Sequence, residues 1–189
     1  MRIGEPGEAL ALAWARADAQ AVRQVVHLYG PVMLRVALAL CPRAEDAEEV
    51  VQDAFLLALR SVSSFDPRRG SLRSWLVTVT ANRARQVRRG MARYRGFLAR
   101  MSREPYELAS PALGDGDLSL ARRRLASLPA REREAFVLLA VEELSSVEAA
   151  RVMGISDSTV RVLAARARAR LQKDLGIARG GSMRAEGRP

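Results

Sequence analysis

Cysteine and histidine are almost missing from this sequence of 189 residues, which has one of each, Cys41 and His27. An intrachain disulfide is thereby excluded, and a zinc site has too few soft donors. Cys41, at the end of VALALC, reads as a small buried hydrophobe. Lysine is equally scarce: Lys173 is the sole lysine among 31 basic residues. Arginine's planar fork suits bidentate contacts to phosphate and guanine, although a GC-rich coding sequence gives the same bias. Aromatic residues make up 5%, too few for a broad platform on which many unpaired bases stack. No run of about 18 apolar residues occurs, and the N-terminal MRIGEPGEALALAWARADAQ is too acidic and broken for a signal peptide. A cytoplasmic protein without direct membrane insertion is expected. There is also no glycine-rich phosphate loop, no metal-ligand cluster and no nucleophile with a base beside it. The sequence therefore predicts no enzyme, no cofactor, no metal site and no small-molecule substrate.

What is present is positive charge, unevenly placed. The net charge of +10 collects in two blocks: residues 61–106 hold 11 basic and 2 acidic side chains, and residues 149–189 hold 9 and 3. Residues 1–60, with 6 basic and 8 acidic, and residues 107–148, with 5 and 8, are acidic to neutral. Two separated basic blocks suggest two sites along one anionic ligand.

Periodicity is helical throughout and strand signals are almost absent. Asp18 can cap a helix with Val22, Val25, Val26 and Tyr29 at three- and four-residue spacing. Gly30-Pro31 then either starts a second helix or kinks the first. AEDAEEVVQDAFLLALRSV follows with acids in its first turns, where the helix dipole favours them. SSFDPRRG reads as a loop. Ser71 caps a long helix whose stripe is Leu72, Trp75, Leu76, Val79 and Val87, with Arg83, Arg85, Arg88 and Arg89 largely off it. The predicted fold is all-α, with two small helical domains at residues 18–92 and 117–175. A flexible linker at 93–116 joins them, and a disordered tail occupies 176–189.

The most informative stretch is LSSVEAARVMGISDSTVRVLAARARARL, Leu144 to Leu171. Ser145 and Glu148 have the spacing of a capping box, Gly154 supplies a helix-ending positive φ, Ile155 plugs the core and Ser156 caps the next helix. This is helix-turn-helix grammar. Asp157, Ser158, Thr159, Arg161 and Val162 fall in the first two turns of the second helix, where base edges are met. Arg166, Arg168 and Arg170 follow where phosphates would lie.

With LPAREREAFVLLAVEEL before it, this stretch resembles the fourth conserved region of sigma-70 family transcription initiation factors. AEDAEEVVQDAFLLALRSVSSFDPRRGSLRSWLVTVTANRARQVRR is similar to region two of the same family. Both in this order, with a linker between, resemble the compact extracytoplasmic-function (ECF) group. The resemblance implies a specificity subunit whose partners are core RNA polymerase and promoter DNA, with an anti-sigma factor as a further candidate.

Residue by residue, the resemblance places polymerase binding on Asp46, Glu49, Val50, Gln52, Asp53 and Phe55. It places minus-10 recognition on Phe65, Asp66, Arg68, Asn82, Arg85, Arg88 and Arg89. Minus-35 recognition falls on Asp157, Ser158, Thr159, Arg161, Val162, Arg166 and Arg168. Trp75 lies on the apolar stripe and reads as core; Leu56 and Leu57 divide evenly between core and partner surface. The recognition helix departs from the family pattern at Val162 and Leu163. Leu163 can meet thymine methyl groups, pack in the core or bind a protein. An alternative left open is a stand-alone helix-turn-helix regulator that uses its N-terminal half for sensing or dimerisation.

Overall fold

The computed structural model describes residues 8–16, 18–101 and 117–174. Among these the fold is all-helical, with no strand. The expected tail at 176–189 and most of the expected linker lie outside the described residues.

Helix α1 (Glu8–Ala15) precedes the first expected element. Its sequence EALALAWA is apolar on nearly every face, so no period marks it, yet Leu10, Ala11 and Trp14 are buried. Helix α2 (Ala19–Leu40) begins where Asp18 accepts a hydrogen bond from the Ala21 amide at 2.8 Å. It runs unbroken through Pro31, so Gly30-Pro31 neither ends nor restarts it. The ring sits on the exposed side, and the buried stripe Ala21, Val25, Tyr29, Met33, Val36, Ala37 and Leu40 passes beneath it. Helix α3 (Ala44–Ser61) buries Ala47, Val50, Ala54 and Ala58. Two short 3-10 turns, Val62–Ser64 and Pro67–Arg69, form the loop, and Asp66 caps the second by accepting from the Arg68 amide at 3.0 Å. Helix α4 (Leu72–Met101) starts with Ser71 Oγ accepting from the Ser74 amide at 3.1 Å. It continues to Met101 through GMARYRGFLARM, which has no helix breaker beyond two tolerated glycines.

After residue 116 come α5 (Asp117–Ser127), α6 (Ala130–Phe136), α7 (Ser146–Met153) and α8 (Asp157–Asp174). Helix α6 ends in a π-turn, Val137–Val141, in which the Glu142 amide donates to the Val137 carbonyl at 2.9 Å. Glu143 follows with φ +52°, the one positive φ at a non-glycine among the described residues.

The apolar residues form two cores. One joins α1 to the first half of α2, the middle of α3 and the start of α4, around Trp14, Val25, Met33, Leu72 and Leu76. The other brings Val36, Leu40, Val77, Ala81 and Ala84 together with Ala135, Leu138, Val152, Met153 and Val160. The two halves of the chain thus share their second core. Alanines at 81, 84, 135 and 149 permit the close approach of α4, α6 and α7.

Candidate nucleic-acid interface

The second basic block is carried by a helix-turn-helix. Ser145 Oγ accepts from the Glu148 amide at 3.2 Å, while the Ser145 amide donates to Glu148 Oε2 at 2.9 Å, completing the capping box. Gly154, with φ +64°, ends α7, and the Ile155 amide donates to the Ala150 carbonyl at 3.1 Å. Ser156 Oγ then accepts from the Thr159 amide at 3.2 Å and starts α8.

Helix α8 buries Val160, Ala164 and Ala167. Its opposite face presents Ser158, Thr159, Arg161, Val162, Arg166 and Arg168 to solvent, with Asp157 half-buried at the start. Arg161 reaches back to Asp157 at 3.0 Å, an exposed pair of little worth that a base or phosphate can replace. Leu163 packs against the shared core, so of its three readings the structure selects packing. Val162 is the apolar residue left outside, 50% exposed. Arg170 turns away toward Glu132 of α6, at 2.9 Å.

The first basic block surrounds the loop and α4. Phe65 and Trp75 stack in a tilted arrangement at 5.7 Å, and Trp75 meets Trp14 edge-on at 6.3 Å. Trp75 is therefore half-buried, core on one side and wall on the other. A cavity of about 370 Å³ opens there, lined by Phe65, Asp66, Gly70, Ser74 and Trp75, with Glu148 and Arg151 of α7 on its far side. Arg151 donates to the Arg69 carbonyl across it. Arg68, Asn82 and Arg89 are exposed.

Arg85 is not on an open face, contrary to the expectation from the apolar stripe. Its Nη1 lies 2.6 Å from Glu134 Oε1, and its Nη2 donates to the Val152 carbonyl at 2.8 Å and to Asn82 Oδ1. Burial pushes the Glu134 carboxyl up, against the pull of Arg85, Arg88 and Arg131, and pushes the Arg85 guanidinium down. Arg88 is half-buried near the same carboxylate. A second carboxylate, Glu142, is 1% exposed. It takes Arg35 Nε at 2.9 Å and Arg73 Nη2 at 2.7 Å, while Arg73 Nη1 donates to the Glu142 carbonyl at 2.8 Å.

On α3 the six residues expected to meet polymerase separate. Glu49 and Gln52 are exposed, and Asp53 is half-buried, bonded to Arg83 Nη2 at 2.5 Å. Phe55 is partly buried against the first core. Val50 is fully buried and Asp46 nearly so, the latter held by Arg43 Nη2 at 2.6 Å. That bond keeps the Asp46 carboxyl below its usual range. Both therefore serve the packing of α3 instead of its outer surface. Leu56 and Leu57 are 54% and 43% exposed, beside Gln52 and Asp53.

Sequence reasoning missed Trp14, Arg35, Arg73, Glu134 and Glu142. A signal for one existed: Glu134 lies three and four residues before the apolar Val137 and Leu138. A carboxylate on an apolar stripe calls for a buried cation.

A helix-turn-helix with an open reading face, joined to a second basic unit with an aromatic-walled cavity, defines a DNA-binding transcription protein. Comparison with known proteins agrees. Residues 25–94 match Sigma-70 region 2 and residues 118–171 match Sigma-70, region 4. The chain is 32% identical over 172 residues to the RNA polymerase sigma factor NccH of Alcaligenes xylosoxydans xylosoxydans, covering 87% of this chain and 91% of that one. It is 33% identical over 174 residues to CnrH of Cupriavidus metallidurans, covering 86% and 90%. Among solved structures it resembles the sigma factor RpoE in complex with the anti-sigma factor NepR from Bartonella quintana, with TM-score 0.70, 28% identity, and 83% and 98% coverage. It also resembles CnrH in complex with the cytosolic domain of CnrY, with TM-score 0.65, 27% identity, and 89% and 96% coverage. The chain belongs to the sigma-70 family of RNA polymerase sigma factors, in the ECF group.

Proposed function

We propose that this protein is a dissociable specificity subunit that joins core RNA polymerase and directs initiation at promoters with two separated elements. The observation that carries this reading is the pairing, in one chain, of the open face of α8 with the Phe65–Trp75 cavity. Arg161 and Val162 would read the minus-35 element in the major groove, with Ser158 and Thr159 at its edge and Arg166 and Arg168 on phosphates. The cavity would receive an unstacked base of the minus-10 element, whose exposure costs a few kcal/mol that stacking on Phe65 and edge bonds near Asp66 offset. Arg68, Asn82, Arg85, Arg88 and Arg89 would hold the adjoining strand. Glu49, Gln52, Asp53 and the exposed Leu56 and Leu57 would form the polymerase-facing patch.

The work is binding, with bond chemistry left to the polymerase, and it belongs in the compartment that holds the polymerase and the DNA. Among the described residues no helix is long and apolar enough to cross a membrane. An anti-sigma factor is a third partner class, since two structural relatives were solved with one or with a named partner domain. A stand-alone regulator has no need for the aromatic cavity beside a second basic face.

Run-off transcription with core polymerase over genomic fragments tests the reading. Initiation from discrete promoters is expected. Failure to bind core polymerase would overturn it, and core binding without transcription from any sequence would leave a decoy in its place.

A further inference from the structure

In the outer row of α3 formed by Glu49, Gln52, Asp53 and Leu56, Asp53 alone is bonded to a side chain of another helix among the described residues. We infer that its partner, Arg83 of α4, is a positioning residue for polymerase binding. Arg83 takes one carboxylate oxygen of Asp53 and so aims the other at a single cationic donor on the polymerase surface. This rests on the polymerase-facing reading of α3 above and adds to it a residue of α4.

The pair is lopsided. Arg83 Nε donates to Asp53 Oδ2 at 2.8 Å, and Nη2 donates to the same oxygen at 2.5 Å. A fork-to-fork pair would have given each nitrogen its own oxygen. Here Oδ1 accepts no hydrogen bond among the described residues, and 42% of the Asp53 side chain is exposed. The last torsion of an aspartate is broad, so an unheld carboxylate points its charge in many directions. Two donors on one oxygen confine it. Arg83 is steadied in turn, because its Nη1 donates to Gln86 Oε1 at 3.4 Å, one turn further along α4. That acceptor is neutral and does not draw the guanidinium away from Asp53. Both side chains rise from packed helices, since Ala54 beside Asp53 and Ala84 beside Arg83 are buried.

The free oxygen sets the chemistry of the partner. An arriving group meets one anionic oxygen, with the Gln52 amide on one side and the exposed Leu56 on the other. An ammonium fits there, as does a guanidinium approaching end-on. A guanidinium binding through both of its arms would need Oδ2 as well and would have to displace Arg83. The ion pair itself adds little to stability, with 33% of Arg83 and 42% of Asp53 exposed. Its effect lies in order made before association, which removes an ordering cost from the complex. Arg83 also repels the incoming cation. In about 0.4 M salt, charges more than about 5 Å apart are largely screened, so the repulsion fades while the aim of Oδ1 remains.

The test titrates the full chain with core polymerase in about 0.4 M salt. Asp53→Asn and Arg83→Ala are each expected to weaken association roughly two- to tenfold. The double variant should fall within about twofold of Asp53→Asn alone, because Arg83 acts through Asp53. Arg83→Lys keeps the charge and loses the fork, so it should behave as Arg83→Ala does. Full recovery with lysine, losses that multiply in the double variant, or undiminished association of Arg83→Ala beside a weakened Asp53→Asn would overturn the inference. A second measurement needs no polymerase: the Arg83 Nε–H resonance of the free chain, assigned by its loss in Arg83→Lys, should move in Asp53→Asn. An unmoved resonance would overturn the inference as well. No association of the unaltered chain, or none lost in Asp53→Asn, would instead count against the polymerase-facing reading of α3, leaving the resonance to judge whether Arg83 holds Asp53.

Discussion

Arg85 on α4 and Glu134 on α6 meet at 2.6 Å although 49 residues of chain separate them. Their charges hold the two promoter-binding units in one register, and their burial makes that register sensitive to protons. Burial raises the Glu134 carboxyl above its ordinary value; Arg85 and Arg88 of α4 and Arg131 of α6 act in the opposite sense and only lessen the rise. Between the ordinary carboxylate range and the raised value, the folded chain binds more protons than the unfolded chain. Folding is therefore favoured as pH falls through that window and weakened as pH rises through it. The Glu134 contribution to the melting temperature should fall with rising pH there, and Glu134→Gln should flatten the dependence. An identical slope in that variant would remove Glu134 from the linkage.

Asp46 works with the opposite sign on unfolding. Its carboxyl is held low chiefly by the bond from Arg43, so its contribution is present above the unfolded carboxylate range and lost as pH falls through the folded value. Melting temperature should drop on acidification, and Asp46→Asn should remove part of that drop.

On α3 the outward and inward residues should separate cleanly. Gln52→Ala and Leu56→Glu are expected to weaken association with core polymerase while leaving the melting temperature within a degree or two, since both side chains lie outside the core. Val50→Ala should cost on the order of 1–2 kcal/mol of stability, because the valine is fully buried. Equal losses of stability from all three would mean that the outer face is structural.

Within α8, Arg161→Ala should reduce discrimination between matched and mismatched minus-35 sequences by roughly 1–3 kcal/mol. Arg168→Ala should weaken binding evenly across sequences and flatten the salt slope by about one. A fluorescence anisotropy series on matched and mismatched duplexes at several salt concentrations separates the two. Sequence-independent effects from both would exclude Arg161 from base reading.

Gly154→Ala isolates the turn. A Cβ there would meet nothing within 4 Å, while φ is +64°, so the cost is backbone alone, roughly 1–2 kcal/mol. Gly154→Asn should cost less, because asparagine tolerates the left-handed region. Thermal melts of the two variants supply the comparison.

The helix-turn-helix was legible because each of its devices is local: the Ser145–Glu148 box, Gly154 and the Ser156 cap are set by neighbours within four residues. The Phe65 loop was legible for the same reason, through Asp66-Pro67 and Gly70. What escaped was non-local or aperiodic. Helix α1 is apolar all round and shows no stripe. Val50 and Phe55 share the spacing of an outer face with Glu49 and Gln52, and only the packing of α3 on α2 and α4 sorts them. Leu163 needed the shared core to decide among its three readings. Arg35, Arg73 and Glu142 are brought together from positions 107 and 69 residues apart, a distance no local rule spans.

The π-turn at Val137–Val141 gives that convergence an unusual sensitivity to chain length. A π-turn is an α-helix with one residue too many, and here the extra residue sets the angle from which Glu142 leaves α6. Deleting it would swing Glu142 by about 100° around the helix axis, away from Arg35 and Arg73, without altering α8 or a single core side chain upstream. Relatives that differ by one residue in this turn would then differ in whether this carboxylate ties α2 to α4, a heritable setting that substitution tables, which compare residue types and not their number, would pass over.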